Sequence, residues 1–465
     1  MVSLHTVYHR RSLLRHFALM LAACCGLFTG PVSAAARTHE FMLDNGLKVI
    51  VQEDHRAPVA VVQIWYKIGA SAEYDGITGV SHALEHMMFQ GTTNIPAGEF
   101  SEIVAAHGGN ENAFTSTDYT AYFQTWSADN VELSFELEAD RMRNLLLHES
   151  EFEKEIRVVL EERRMRTDDN PRALLGEAAR AVAYQTSPYR QPVIGWAADL
   201  QGMQIEDLKT WYERWYAPDN ATLVVVGDVD PEQIVTLAKK HFGPIARQNI
   251  PPPRMRPEVA QQGTKSLTMT SEKARVPQLY MAYKSPVLND ALAPDGDVEE
   301  WEIYALDVLS ETLDGNASAR LPRKLVRESA VAAEVGVHYS SASRLSTLFS
   351  FSAAPSGDHT LEELEEAIRA EIATLQTEPP SVAELDRIKT KVVADSVYER
   401  DSMFYQGMII GTLESVGLDW RLNDEYANKI KAVTPEQVRT VAAKYLVPER
   451  LTIAKLLPAT KGAEK

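Results

Sequence analysis

Two histidines four residues apart, His82 and His86, bracket Glu85 in the segment Ser81-His82-Ala83-Leu84-Glu85-His86-Met87-Met88. On a helix, residues four apart are neighbours on one face, so both imidazoles can bind one ion while Glu85 stands beside them. Leu84, Met87 and Met88 are left to anchor the core side. An isolated histidine pair at this spacing is more often a satisfied surface or core pair. The glutamate shifts that balance: with 12 histidines in the chain, the full pattern should arise by chance on the order of a few hundredths of a time.

Two histidines suit a zinc ion, and a catalytic zinc needs a third protein ligand, commonly a carboxylate, plus an open position for water. The periodicity predicts a helix from Phe152 to Met165 that supplies it. Lys154, Arg157 and Glu161 form its solvated face, Phe152, Ile156 and Val159 its apolar stripe, and Glu155 and Glu162 fall on or beside that stripe. A carboxylate there is costly unless paired, hydrogen-bonded or metal-bound, which favours Glu162 over Glu161 as the ligand and makes Glu155 a supporting acid grouped with Glu85 in the catalytic machinery. Spacing alone equally allows Glu155 and Glu162 to be ordinary acids of a charged helix.

The elements that position these residues are mixed α and β. Leu47–Val51 and Val59–Trp65 read as strands, the first entered through the Asn45-Gly46 turn. Leu223–Val226 is a third β-branched run. Ile250-Pro-Pro-Pro253 and the stretch to Lys265 lack apolar periodicity and read as an extended linker. The halves on either side look related. Ile205–Leu208 leads through a helix to Tyr216-Ala-Pro218 and the Leu223 strand, while Pro435–Val438 leads to Tyr445-Leu-Val-Pro448 and Leu451–Ala454. The expected fold is therefore α+β with a duplicated unit: 37–249 carrying the metal residues, a linker over 250–265, and a non-catalytic homologous domain over 266–465.

At 465 residues the chain is long enough for two cores, and 45% apolar with 24% charged residues is ordinary globular usage. A net charge of -18 repels phosphate backbones, which argues against nucleic-acid binding. Residues 1–36 carry Arg10, Arg11 and Arg15, an apolar run from Phe17 to Phe28 and the small residues Ser33–Ala36, the layout of an export signal too short for a membrane span. Cleavage after Ala34 or Ala36 fits, and Leu21-Ala-Ala-Cys24 equally resembles a lipobox that would leave Cys24 lipidated. The expected location is the bacterial periplasm, in preference to a mitochondrion. Both cysteines, Cys24 and Cys25, lie in this segment, so the mature body has no internal disulfide.

His82-x-x-Glu85-His86 is the inverted zinc signature, and the chain resembles the pitrilysin and insulysin group of metallopeptidases, the inverzincins, as a single-half bacterial member close to the processing-peptidase-like branch. In that family a glutamate some seventy-odd residues beyond the second histidine is the third ligand, with another glutamate seven residues before it; Glu162 and Glu155 match both positions. Gly109–Thr115, with Asn112, Ala113 and Phe114, resembles the edge strand onto which substrate backbone is added. Tyr189–Gly195 and Asn220–Asp228 resemble further landmarks.

The resemblance implies one zinc ion per chain and endoproteolysis of unfolded peptides, with Glu85 as general base towards a metal-activated water. It also implies a two-half chamber and hence a homodimer, or a heterodimer with a non-zinc homologous subunit. An arginine and a tyrosine seven residues apart in the second half often help to bind substrate. Arg327 resembles that arginine, whereas position 334 is Glu and the next tyrosine is Tyr339. The alternatives are a proteolytically silent structural subunit of the same fold and a peptide-binding scaffold in which zinc is only structural. The first loses zinc residues that this chain keeps; the second needs a fourth ligand, for which His107 is the candidate.

Overall fold

The turn at Asn45-Gly46 forms as expected: Gly46 sits at φ +90° and its amide donates to the Leu43 carbonyl at 2.9 Å. The computed structural model describes residues 37–459, so the expected export signal over 1–36, with Cys24, lies outside the described residues.

The first half contributes β1 (Thr38–Met42), β2 (Lys48–Glu53), β3 (Val59–Tyr66), α1 (Val80–Met87), β4 (Asn110–Thr115), β5 (Thr120–Ser127), α2 (Val131–Asn144), α3 (Glu149–Arg163), α4 (Pro171–Ala183), α5 (Ile205–Trp215) and β6 (Ala221–Gly227). The second contributes β7 (Lys265–Ser271), β8 (Gln278–Ser285), α6 (Glu300–Asp314), β9 (Ala332–His338), β10 (Thr347–Pro355), α7 (Met403–Val416), α8 (Pro435–Tyr445) and β11 (Leu451–Pro458).

The sheet orders are β1-β2-β6-β3-β5-β4 and β7-β11-β8-β10-β9. Their pairings repeat element by element. β6 lies parallel to β2 and antiparallel to β3, just as β11 lies parallel to β7 and antiparallel to β8, and the remaining main pairs are antiparallel in both sheets. Helix, proline turn and strand recur where the repeat predicts them: α5, a turn at Pro218–Asn220 and β6, then α8, a turn at Pro448–Arg450 and β11. The fold is α+β, two duplicated mixed sheets packed by helices.

All seven residues of β6 are buried, the mark of a strand covered on both faces. Leu223 and Val225 face the larger core with α1, α2 and α5, while Val224 and Val226 face Trp65, Ile410 and Trp420. Ile410 belongs to α7, a helix of the second half. It seats closely because Gly411 has no side chain; a Cβ there would come within 2.0 Å of the Trp65 indole. In exchange, Leu175 and Ala179 of α4 pack on Ala454 and Leu456 of β11. Each sheet thus borrows a covering helix from the other half.

The connection over 250–264 has no regular structure, yet it is pinned. The Glu258 carboxylate accepts the amides of Gln185, Thr186 and Ser187 at 2.9, 2.8 and 2.9 Å and pairs with Lys284.

Candidate metal centre and active site

α1 buries Val80, Ala83, Leu84 and Met87 in the core, which turns His82, Glu85 and His86 toward an open groove. Its start is held by a residue that the spacing argument did not single out. Glu73 is 5% exposed, and its two carboxylate oxygens accept the amides of Gly79 at 2.7 Å and Ser81 at 2.9 Å. Burial pushes this carboxyl up to about 7, against the pull of those amides. A carboxylate at the positive end of a helix fixes the axis on which the two histidines ride.

The three expected ligands converge. One ligand atom each of His82, His86 and Glu162 lies within 4.8 Å of the others, the one such cluster of three among the described residues. Glu162 Oε2 is 3.5 Å from His82 Nε2 and 3.4 Å from His86 Nε2. A tetrahedral zinc with bonds of 2.0–2.1 Å separates its ligands by about 3.3–3.4 Å, so these spacings fit that ion. Glu162 Oε2 is buried with no hydrogen-bond partner, an acceptor left open on the side where the imidazole nitrogens meet.

The neighbours orient this set. Glu155 Oε2 lies 3.2 Å from His86 Nδ1, which favours the proton on Nδ1 and leaves Nε2 free to ligate; Gln90 Nε2 donates to Glu155 Oε1 at 3.0 Å. Glu155 thus contacts one of the three candidate ligands. Arg166 pairs with Glu162 Oε1 at 2.6 Å from a π-helical turn, Arg164–Asp168, that follows α3. The helix expected as far as Met165 is α-helical only to Arg163, and the wider turn carries Arg166 over the ligand. His82 is pushed down to about 3 by burial, with the nearby charges of His86 and Arg166 adding to it, which keeps the ring neutral.

Glu85 lies beside these ligands, its carboxyl raised by burial and partly restored by a hydrogen bond from Thr115 Oγ1 to Oε2 at 2.5 Å. Thr115 ends β4, which closes one edge of the first sheet and, among the described residues, pairs only with β5. Ala113 and Asn112 stand on that strand, with Asn112 Oδ1 accepting the Ala113 amide at 2.8 Å. Phe114 points to the opposite face, against Trp65, Tyr119 and Phe123. The groove between β4, α3 and α4 has a volume of about 1190 Å³ and contains His82, Glu85, His86 and Glu162 in its wall.

Other candidates lie elsewhere. Arg327 is exposed in the turn Pro322–Glu328 and does not line this groove. The Tyr339 hydroxyl donates to the Pro286 carbonyl at 2.6 Å and its ring stacks on Phe349, so it is committed to the second core. Glu334 pairs with Arg172. His107 is exposed, its Nδ1 against the Ile103 carbonyl, and supplies no fourth ligand.

Residues 48–196 match the model for insulinase, peptidase family M16, and residues 202–392 match the M16 inactive domain. The zinc protease PqqE of Helicobacter pylori is 34% identical over 364 residues, covering 77% of this chain and 79% of that protein. This chain belongs to the M16 peptidase family. The crystal structure of a protease from Helicobacter pylori superposes with a TM-score of 0.85 at 31% identity, covering 91% of this chain and all of that one. The periplasmic protease PqqL of Escherichia coli shares the fold, with a TM-score of 0.74 at 18% identity, and the match spans 48% of its length. This chain thus corresponds in fold to about half of that protein.

The second half has no histidine pair at this spacing: its histidines are His338 and His359, and α6, which follows β8 as α1 follows β3, carries the acid Asp307 on a buried face. Burial pushes the Asp307 carboxyl up to about 7, despite a hydrogen bond with Ser341, and its Oδ2 has no partner. A carboxyl raised by folding is tolerated when protonated and costs stability as pH climbs from its unfolded value near ~4 to about 7. The advantage of Asp307→Asn over the parent should therefore grow by roughly 2–3 kcal/mol between pH 5 and pH 8. Urea unfolding at the two pH values reads this directly; an equal difference at both would show that Asp307 does not titrate with folding.

Among the described residues no helix is long and apolar enough to cross a membrane.

Proposed function

We propose that the chain is a zinc endopeptidase that hydrolyses unfolded peptides. The observation that carries this reading is the convergence of His82, His86 and Glu162 in a groove that also holds Glu85 and borders a free sheet edge. His82, His86 and Glu162 hold one ion, Glu155 steadies His86, and Arg166 steadies Glu162. Zinc, when bound, polarises the scissile carbonyl and brings the pKa of a water down towards ~7.

Glu85 takes the proton from that water on its free Oε1, while Thr115 holds Oε2. The raised affinity of Glu85 for a proton suits a base that must later return it to the leaving amine. The peptide adds to the open side of β4, where backbone hydrogen bonds from Asn112 to Thr115 give affinity with modest sequence demand. No covalent intermediate is required.

The working unit is a dimer, homodimeric or with a non-zinc homologue, that closes a chamber over the groove. Arg327, exposed and absent from the wall of its own groove, would in such a dimer serve the partner's site. Export to a bacterial periplasm, with or without a lipid on Cys24, follows from residues 1–36.

Hydrolysis of a quenched fluorescent peptide library by the purified mature chain, beside the same chain stripped of metal, tests the reading. Cleavage that is abolished by stripping and restored by zinc supports it. Zinc-loaded protein that cleaves nothing, alone or with a homologous partner, overturns it.

A further inference from the structure

Arg180 stands where two cavities meet. It lies in the last turn of α4 and contributes both to the wall of the metal-bearing groove and to that of a second cavity of about 260 Å³. The second cavity starts at Ser116 and Tyr119, just beyond the Thr115 end of β4, and is otherwise dominated by hydroxyl groups, with Tyr184, Tyr280 and Ser340 among them, and by the imidazole of His338. Its one carboxylate, Asp118, is already engaged by the Ser71 hydroxyl, the Tyr189 hydroxyl and the Arg344 amide.

The charges around the groove run against those of the whole molecule. Most cations in its wall are neutralised: Lys154 by Glu151, Arg166 by Glu162 and Arg190 by Asp75. Arg157 and Arg180 remain, and neither makes an ion pair among the described residues. Of the two, only Arg180 also reaches the second cavity, where its charge favours the ionised Tyr184 phenol against the dominant effect of burial. An exposed, unpaired guanidinium offers a carboxylate two parallel N–H donors in a fixed fork, and the surrounding hydroxyls can solvate the remaining lone pairs. A chain with net charge -18 would repel acidic peptides at long range, so an anchoring cation at this point selects them at short range.

We infer that Arg180 binds a carboxylate of the peptide substrate at the entrance to the hydroxyl-lined cavity beyond β4, and so sets a preference for acidic peptides at one position. The inference rests on the peptidase reading above. The carboxylate has two sources, an acidic side chain or the free C-terminus, and the direction of the bound peptide decides between them. A peptide antiparallel to β4 carries its amino side past Thr115, where only a side chain offers a carboxylate. A parallel one carries its carboxyl side there.

The test takes one quenched fluorescent peptide that the zinc-loaded protein cleaves and places Glu, Gln or Lys in turn at each position flanking the scissile bond, with a free or amidated C-terminus. At one position, or at the free terminus, the acidic form should be cleaved with about tenfold higher kcat/KM than its neutral counterpart. That ratio should fall to near one in Arg180→Gln and invert in favour of Lys in Arg180→Glu, with zinc content equal in all three proteins as the check on folding. Glu/Gln and acid/amide ratios that both variants leave unchanged at every position would overturn the inference while leaving the peptidase reading intact, and Arg180 would then serve only the C-terminal end of α4. If the zinc-loaded protein cleaves no peptide from which to build the series, the peptidase reading fails and takes this inference with it.

Discussion

Replacing Glu85 with glutamine should lower kcat for peptide hydrolysis about a thousandfold or more, while the protein keeps one zinc ion per chain. The amide has nearly the same shape and can still accept the Thr115 hydroxyl, so the hydrogen bond at 2.5 Å that ties α1 to β4 survives. What it cannot do is take a proton from water. The loss should therefore fall on kcat with little change in KM, because the missing interaction develops only as the water is deprotonated. Metal analysis and steady-state kinetics on the same preparation separate this from misfolding. A variant that retains activity within about tenfold would exclude Glu85 as the base.

The second large effect concerns adjacent glutamates. Glu162→Ala should lose zinc altogether under conditions in which the parent stays loaded. It removes the acceptor that sits 3.5 and 3.4 Å from the two imidazole nitrogens and leaves Arg166 facing two histidines with no carboxylate between them. Glu161→Ala, one residue away, should keep its metal, since Glu161 is exposed and engaged with Arg164. Glu155→Gln should fall between, weakening zinc about 10–100-fold, because Glu155 touches the ion's ligand and not the ion. Competition with a chromogenic chelator ranks the three. Equal affinities for the Glu161 and Glu162 variants would contradict the proposed ligand set.

How much of this was legible in the sequence depends on the distance over which each feature acts. The His82, Glu85 and His86 triad is a matter of one helical turn, and periodicity alone puts it on one face. For Glu162 the apolar stripe of its helix left an ordinary surface acid equally open, and the family's spacing of the third ligand tipped the choice. The duplication was visible as a recurring helix, proline turn and strand, and the two sheets repeat each other's pairings. The wider turn that lays Arg166 on Glu162 was hidden, since the local sequence reads as continuous helix.

Glu73 and Gln90 were hidden for a different reason. Each meets the site through a contact between elements, and nothing in its own segment distinguishes it from an ordinary polar residue. Thr115 was visible as the end of the edge strand, and its bond to Glu85 was not. The exchange of α4 and α7 between the halves has the same character: Gly411 looks like a helix weakness until Trp65 is found against it. Tyr339 shows the converse. The family resemblance left open whether it completes a substrate-binding pair with Arg327, and the Pro286 carbonyl and the Phe349 ring claim it for the core.

The most direct measurement of the central claim is a titration of metal-free protein with zinc, following bound metal and peptide hydrolysis in the same sample. Activity should rise in proportion to bound zinc and break sharply at one ion per chain, with no rise in the Glu85→Gln protein although it binds the same single ion. Hydrolysis by the metal-free protein that zinc does not increase, or a chain that takes up no zinc, would contradict the account.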